Sequence, residues 1–186
     1  TNEGSVFIIH PSLPVLSRIK LSEEFVDRFS ATDKRVNHWI AFHNRANAYH
    51  PFKYKIRNSS EVMTEYSMVL RLAEQYLIRS EARTMQGKLS EAIGDIDIIR
   101  KRAGLDLIAD INPSIDRESL LQMILEERKK ELFTEWGHRW LDLKRTGQAT
   151  EVLSPDNSLW ENSDVLYPIP EEERNKNPNL DQNPGY

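Results

Sequence analysis

Five aromatic side chains lie within sixteen residues of one another, beside amide and guanidinium groups. The aromatic residues are Trp39, Phe42, Tyr49, Phe52 and Tyr54. A sugar ring presents C–H groups on its faces and hydroxyl groups around its edge, which suit aromatic planes and planar amide or guanidinium groups respectively. We expect Phe52 and Tyr54 to lie in the core. The remaining candidates for sugar contact are Trp39, Asn44, Arg45, Asn47 and Tyr49, together with Trp160 nearer the C-terminus.

Other residues that could support metal chemistry are present, but their spacing does not match known sites. Glu135 and His138 form a single E-x-x-H pair, whereas a di-iron helical bundle needs two. We expect this pair to join Arg139 and Asp142 in a polar network at a helix end. Three further histidines, whose spacing fits no zinc-binding pattern, are His38, His43 and His50. The sequence therefore predicts no metal site and no cofactor.

Paired carboxylates could in principle hydrolyse a glycosidic bond. The two candidate sets, residues 126–127 and 171–173, are interpreted as solvated surface, and the basic residues 128–130 as an exposed face or helix end. The sequence has no nucleophile elbow, no phosphate-binding loop and no dinucleotide-binding glycine pattern. We therefore predict that the chain has no catalytic residues and is not an enzyme.

The composition is that of a folded domain. Apolar residues make up 39% and charged residues 29%, and the net charge of −4 provides no basic field to attract nucleic acid or an anionic membrane. The absence of cysteine excludes disulfides, thiolate catalysis and cysteine-ligated metals. No apolar run is long enough to span a bilayer. Because the sequence begins with Thr1 and shows no signal peptide, we expect it to be a piece of a longer protein.

The chain divides into three regions that differ in composition and in the pattern of apolar residues. Residues 1–60 are loop-rich, with scattered prolines and short strands. Residues 61–150 are helical. Residues 151–186 are irregular but too apolar for a solvated tail, so we expect them to pack on the helices.

Three local elements are predicted in the first region. Residues 6–9 could form a short strand, and Ser22 could cap a short helix. Residues 52–56 alternate between apolar and basic side chains, which predicts a half-buried strand after a loop at residues 44–47.

The helical region contains one convincing helical hairpin. An apolar stripe runs from Val69 to Thr84 at helical spacing. Gly87 permits the turn, Ser90 could cap the second helix and Gly104 ends it, as in a tetratricopeptide repeat. One such unit cannot bury both of its faces alone. We therefore predict an exposed apolar patch around Val69, Leu72, Tyr76, Ile93 and Ile96.

Two further helices are predicted. One, capped by Asp116, covers residues 117–135, and a shorter one follows Gly137. We expect Trp140 to lie in the core, so that Trp140→Ala would cost about 3–5 kcal/mol. The predicted fold is mainly α: a tetratricopeptide-like helical hairpin with further helices, irregular loop-rich segments and a few short strands.

Four stretches resemble, in the same order, the SusD/RagB family of nutrient-binding lipoproteins. They are residues 71–82 (RLAEQYLIRSEA), 98–105 (IIRKRAGL), 127–145 (ERKKELFTEWGHRWLDLKR) and 167–186, which contain YPIP and end in NPNLDQNPGY. The resemblance covers about residues 60–186, while residues 33–35 and 53–55 fit the family more weakly.

The resemblance implies a function that composition could not show. Members of the family are surface lipoproteins of Bacteroidota that sit on a TonB-dependent transporter and hold glycans, sometimes peptides, for import without catalysis. It thus implies an oligosaccharide or other nutrient and a SusC-like TonB-dependent transporter as partners, and no nucleic acid. It places the full-length protein at the cell outer membrane, attached through a lipid anchor outside this segment. The family's N-terminal half, with the anchor cysteine and the first tetratricopeptide-like units, is absent from this sequence.

Two other functions remain open at this point. A concave helical face lined with Asn, Lys and Arg would favour a tetratricopeptide-like scaffold for a protein or peptide. Two facing carboxylates about 5–9 Å apart in a deep cleft would favour a glycoside hydrolase.

Overall fold

The structure is a computed structural model that describes residues 2–10, 19–57 and 64–186. It forms two compact units, Thr1–Trp136 and Gly137–Tyr186. The described part of the chain is dominated by helices and contains one two-stranded sheet, so the prediction of a mainly α fold is confirmed. No helix in these ranges is both long and apolar enough to traverse a lipid bilayer. The three-part division of the sequence stays a prediction.

The first unit is built around two paired helices, α4 (Leu72–Met85) and α5 (Leu89–Ala103). The chain reverses at Gly87, whose φ of 76° lies in the left-handed region that strains any residue with a side chain. The helices meet at small residues, where the Ser80 hydroxyl donates to the carbonyl of Ala92 at 2.8 Å. Gly104 ends α5 with a φ of 79°. The predicted helical hairpin is therefore confirmed.

Two details of the predicted hairpin are wrong. Helix α4 begins at Leu72, so Val69 precedes the helix instead of belonging to its apolar stripe; the predicted start near residue 61 lies outside the described residues. The N-cap of α5 is Lys88, not Ser90, and no side chain caps the helix. In this tight turn a backbone hydrogen bond takes the place of a side-chain cap, because the N–H of Lys88 donates to the carbonyl of Arg83 at 2.9 Å.

A third long helix, α7 (Arg117–Glu131), packs against the α4–α5 pair. Asp116 caps it as predicted, accepting a hydrogen bond from the Ser119 N–H at 2.9 Å. The short α6 (Ile108–Ile111) joins the same core, in which each fully buried aliphatic side chain contributes about 1.5–3 kcal/mol. The side chains with no exposed surface in this core are Leu77, Ala92, Ile96, Ile108, Leu120 and Ile124. Helix α7 ends at Glu131, four residues before the predicted end at residue 135.

Three short helices lie before the sheet. Helix α1 (Asn2–Phe7) stands where a strand was predicted at residues 6–9, so that prediction is wrong. Helix α2 (Glu23–Asp27) is capped by Ser22 as predicted, and α3 (Lys34–Trp39) is capped by Asp33. Four apolar residues in a row, as at residues 6–9, fit a short helix as well as a strand, so the run alone could not decide between them.

The sheet is a β-hairpin of β1 (Ile40–His43) and β2 (Ala48–Pro51), joined by the predicted loop at residues 44–47. The strand predicted at residues 52–56 is wrong, because the ladder stops at the pair of Pro51 with Ile40. The Phe52 N–H still donates to the carbonyl of Trp39 at 2.7 Å, but Trp39 belongs to α3 and cannot extend the opposite strand. The alternating basic residues beyond Pro51 make cation–π contacts instead. The Lys55 ammonium, for example, lies 4.0 Å from the ring centroid of Phe52.

The second unit contains α8 (His138–Arg145), α9 (Ala149–Leu153), two 3-10 turns (Ser154–Asp156 and Asn162–Val165) and α10 (Glu171–Lys176). The helix predicted after Gly137 is confirmed. Trp140 is half-buried instead of lying in the core, because its ring packs against Trp160 and Tyr167 at the surface. The loss of about 3–5 kcal/mol predicted for its truncation applies to a fully buried tryptophan and is too large here.

Candidate functional site

The residues predicted to contact sugar lie in both units. Five of them, Trp39, Asn44, Arg45, Asn47 and Tyr49, belong to α3 and the β-hairpin of the first unit. Trp160 belongs to the second unit, between its two 3-10 turns. The chain therefore presents two separate groups of candidates, which are described in turn.

Trp39, the last residue of α3, lies in an aromatic cluster with Phe25, Phe29 and Phe133. Its ring centroid is 6.4 Å from that of Phe133. Three cations lie over the indole of this half-buried residue: the Lys53 ammonium at 4.6 Å and the guanidinium carbons of Arg102 and Arg71 at 5.5 and 5.8 Å. These cations compete with any ligand for the faces of the ring.

The other four candidates form the exposed end of the β-hairpin. Asn44, Arg45 and Asn47 are exposed in the turn, and Asn47 adopts a φ of 45° that asparagine tolerates better than most residues. Tyr49 packs on Phe42 across the strands, with ring centroids 5.0 Å apart. Phe42 is 48% exposed, so an aromatic surface lies next to the amide and guanidinium groups of the turn. This arrangement offers the two kinds of contact that a sugar ring needs.

Trp160 is part of a small aromatic group in the second unit. Its ring and that of Tyr167 each lie 6.4 Å from Trp140, and the Lys144 ammonium lies 5.5 Å from the rings of Trp140 and Tyr167. The Trp160 indole N–H donates to the Thr150 hydroxyl at 3.2 Å. The ring is thus held in place but only half-buried.

An ionic network that the sequence did not reveal joins the elements around Trp39. Its carboxylates are Asp33, Glu127, Glu131 and Glu135, and its cations include Arg35, Lys53, Arg71 and Arg102. The cations come from α3, the segment after β2, the residue before α4 and the end of α5. Because α7 and the turn after it supply three of the carboxylates, the network ties these segments to one helix.

Glu131 has no exposed surface and is the centre of the network. One of its carboxylate oxygens accepts from Arg71 Nη1 at 2.8 Å, and the other accepts from Arg35 Nη1 at 3.1 Å and from Arg102. Glu135 accepts from Lys53 Nζ at 2.6 Å and from Arg71 Nε at 2.8 Å. Charged groups buried in this way need several partners, because removal from water is costly.

Burial and charge act in opposite directions on the pKa values of the network. Burial alone would raise the pKa of Glu131, but the attraction of Arg102 and the hydrogen bond from Arg71 outweigh it, so this pKa lies below its usual range. The pKa of Arg35 is raised, because its bonds to Asp33 and the charges of Glu127 and Glu131 overcome the effect of burial. Burial lowers the pKa of the Lys53 amine to about 8, although Glu135 opposes the change.

The network corrects two interpretations of the sequence and adds partners to a third residue. Glu127 is 3% exposed and pairs with Arg35 at 2.5 Å, so it is not the solvated surface carboxylate that was predicted. Arg128 is also buried, at 5% exposed. Glu135, which the sequence assigned to a polar network with Arg139 and Asp142, binds Lys53 and Arg71 in the first unit. The signal that could have shown this was the spacing of Glu127, Glu131 and Glu135 at four-residue intervals, which places carboxylates on one side of a helix.

The second set of carboxylates that was interpreted as solvated surface, residues 171–173 on α10, is exposed as expected. His50 is buried, with Nδ1 at 3.0 Å from the carbonyl oxygen of Pro51, and burial lowers its pKa. Within the ranges that the structure describes, no three His, Cys, Asp or Glu side chains are grouped so that they could hold a metal ion.

Comparison with known proteins identifies the class to which this helical chain belongs. The sequence model of the SusD family matches residues 45–158 and 151–186. The chain is 35% identical over 140 residues to a SusD-like protein of Formosa agariphila, an overlap of 72% of this chain and 27% of that protein. It is 34% identical over 130 residues to the starch-binding protein SusD of Bacteroides thetaiotaomicron, covering 63% of this chain and 21% of that protein.

A solved structure shows the same fold. A SusD superfamily protein from Bacteroides vulgatus superposes with a TM-score of 0.71 and 22% identity, covering 90% of this chain and 44% of that one. The chain therefore belongs to the SusD family, as its four signature stretches predicted. It spans about a quarter of the length of the curated relatives described above.

Proposed function

We propose that this chain is part of a non-catalytic protein that binds a glycan or another nutrient at the cell surface. The observation that carries the proposal is its membership of the SusD family, which includes a protein named for starch binding. The exposed end of the β-hairpin supports it, because an aromatic pair adjoins the side chains of Asn44, Arg45 and Asn47. The match to the family begins at residue 45, within this turn.

The proposed contacts differ in their roles. Tyr49, with Phe42, offers an aromatic surface to the apolar face of a sugar, while the turn offers hydrogen bonds to its hydroxyl groups. Trp39 presents only the part of its ring that the neighbouring cations leave accessible. Trp160 offers a separate aromatic contact in the second unit.

After capture, the ligand would be handed to a SusC-like TonB-dependent transporter on which the full-length protein sits. Attachment to the outer membrane would come from a lipid anchor outside this segment. Both proposals rest on the family resemblance of residues 71–82, 98–105, 127–145 and 167–186. Co-purification of the full-length protein with its transporter from outer membranes would test them, and recovery of the protein without the transporter would contradict them.

The binding proposal is tested with a printed glycan array and the full-length protein. Asn47→Gly keeps the left-handed backbone conformation of the turn while removing the amide. We expect this variant to bind roughly tenfold more weakly, while Asn37→Ala, which removes an exposed amide from α3, binds as the wild type does. Binding that is equal in all three proteins would exclude the hairpin turn from the site.

The absence of catalysis is tested on the glycans that bind. We expect no reducing sugar to be released during prolonged incubation, because the buried carboxylates of α7 are engaged by arginines. Release that disappears when one Asp or Glu is replaced would overturn this part of the proposal.

Binding of a peptide or protein is a second candidate function, favoured by a groove along α4. The groove has a volume of about 470 Å³ and is lined by Leu72, Gln75, Tyr76, Ile78 and Arg79. Its lining is more apolar than a sugar site requires. The test is to select peptides from a library on the full-length protein. Selected peptides that no longer bind the Ile78→Lys variant would favour this candidate.

A further inference from the structure

A second, smaller pocket opens in the first unit, and none of its lining residues was predicted to bind sugar. It has a volume of about 180 Å³. Sites for drug-sized ligands are commonly about 300–1,000 Å³, so this pocket has room for a much smaller group. Its lining residues are Glu3, Phe7, Tyr54, Thr134, Glu135 and Trp136.

Two of the aromatic side chains in the pocket are fixed by the same residue. The Trp136 indole N–H donates to the carbonyl of Met68 at 2.8 Å, and the N–H of Met68 donates to the Tyr54 hydroxyl oxygen at 3.2 Å. Trp136 is nevertheless 58% exposed. The hydrogen bond holds the indole in place while its ring stays accessible, as in the interfaces where tryptophan is enriched.

The backbone beside the pocket is strained. Thr134 and Trp136 have φ values of 62° and 44°, which residues other than glycine rarely adopt. The carboxylate between them holds the segment, because Glu135 is bound by Lys53 at 2.6 Å and by Arg71 at 2.8 Å. Strain of this kind persists where the surroundings impose it, and it is concentrated at functional sites. Here it places the Trp136 ring at the mouth of the pocket.

The polar groups of the pocket suit a ligand that carries hydroxyl groups. Glu3 and Glu135 supply carboxylate oxygens, which only accept hydrogen bonds and retain capacity beyond their present partners. The Tyr54 oxygen accepts from Met68, so its own O–H can donate to a ligand. Aromatic walls with two carboxylates and one hydroxyl match the apolar faces and polar edge of one sugar ring.

We propose that this pocket is an additional saccharide subsite that takes a single pyranose ring, stacked on Trp136 and hydrogen-bonded to Glu3 and Glu135. The proposal rests on the proposed function, because it assumes that the ligand is a glycan. The pocket would enclose one sugar ring of the glycan, whereas the hairpin turn offers an open surface. A glycan with a branch or an end that can enter the pocket is therefore the preferred ligand.

The test uses the full-length protein on the printed glycan array with three variants. Trp136→Asn removes the ring and suits a positive φ, so the fold should be retained; Glu3→Gln removes the charge. We expect both to bind roughly tenfold more weakly than the wild type, and Trp136→Phe, which keeps an aromatic ring, to bind with intermediate strength. If Trp136→Asn bound glycan as strongly as the wild type while Asn47→Gly bound more weakly, the subsite would be overturned. The proposed function would still stand.

A second measurement on the wild type does not depend on the folding of any variant. The indole N–H resonance of Trp136, assigned by its absence in Trp136→Phe, should shift when the strongest glycan from the array is titrated in. A shift confined to other tryptophans would overturn the subsite. If the wild type binds no glycan on the array, the proposed function fails and the subsite fails with it.

Discussion

At the scale of single residues, Glu131 shows how the surroundings decide what a carboxylate does. Its burial would favour the neutral form, but three arginines surround it and keep it ionised. It therefore acts as a structural anion at the end of α7. A carboxylate in this position cannot serve as a general acid, since its pKa is lowered and not raised.

Replacement of Glu131 tests how much the network depends on its centre. Glu131→Gln keeps the shape but leaves Arg35, Arg71 and Arg102 without their shared anion, so we expect a loss of about 3–5 kcal/mol in the free energy of unfolding. The control is Glu126→Gln, which removes a pair with Arg28 whose side chains are 45% and 35% exposed; it should cost less than about 1 kcal/mol. Urea denaturation of both variants measures the difference, and equal losses would contradict the assigned role.

Lys53 should make stability depend on alkaline pH in an unusual direction. Burial lowers the pKa of its amine to about 8 in the folded state, while in the unfolded state the amine has its ordinary pKa of 10.5. Between these values the unfolded chain binds more protons than the folded one, so the contribution of Lys53 to stability increases as pH rises from about 8 to 10.5.

The measurement is the difference in unfolding free energy between the wild type and Lys53→Met at pH 7 to 11. Methionine fits the space between the rings of Trp39 and Phe133 and does not titrate. We expect the wild type to gain stability relative to the variant across this range. A difference that stays constant or falls would show that the amine remains protonated.

Sequence reasoning was most reliable for residues whose role is local. Asn44, Arg45 and Asn47 were placed in a loop by their own turn preferences, and the structure puts them in a turn. The surroundings of Trp39 were not foreseeable, because its cations come from positions that are distant along the chain. A pattern within a few residues carries no information about such pairings.

At the scale of elements, α5 and its ending depend on glycine in two opposite ways. Gly104 has a φ of 79°, so Gly104→Ala should cost about 1–2 kcal/mol. Gly94 lies within the same helix with nothing near the position of an added Cβ, so Gly94→Ala should raise stability by about 0.5–1 kcal/mol. Thermal melts of the two variants should shift in opposite directions. A shift of the same sign in both would contradict this account of the helix end.

The elements that sequence predicted correctly begin or end at residues with strong local preferences. Ser22 and Asp116 cap helices through their own side chains, and Gly87 forms the turn of the helical hairpin. The predicted strands at residues 6–9 and 52–56 failed because short apolar or alternating runs fit several structures and tertiary contacts choose between them.

At the scale of the whole molecule, one apolar face of the helical hairpin is exposed in the part of the chain that the structure describes. Of the predicted apolar patch, Leu72 on α4 is 70% exposed and Val69 in the segment before it is 59% exposed, whereas Tyr76 is half-buried against the core. Ile78, which was not predicted, adds to the patch with 45% exposure. The prediction was wrong for α5, because Ile93 and Ile96 are buried between α4 and α7. The buried residues of α4 lie on the opposite side of the helix, so α4 is apolar on two sides.

An uncovered apolar face should make this chain, expressed alone, associate with itself. We expect the sedimentation coefficient of the 186-residue chain to rise with protein concentration, and the rise to be reduced in Ile78→Lys combined with Met85→Lys. Leu159→Lys, which changes an 85% exposed residue of the second unit, is the control and should have no effect. Monomeric behaviour of the unaltered chain at all concentrations would contradict the prediction.

The order of the ionic partners along the chain has a kinetic consequence. Arg35 is 96 residues from Glu131 and Lys53 is 82 residues from Glu135, whereas Ser80 and Ala92 in the helical hairpin are only 12 apart. Local contacts form before distant ones, because closing a long loop costs more entropy. The helical hairpin should therefore assemble first and the ionic network last. Interactions made after the rate-limiting step mainly slow unfolding, so the network would govern how long the folded state persists and have little influence on how fast it is reached.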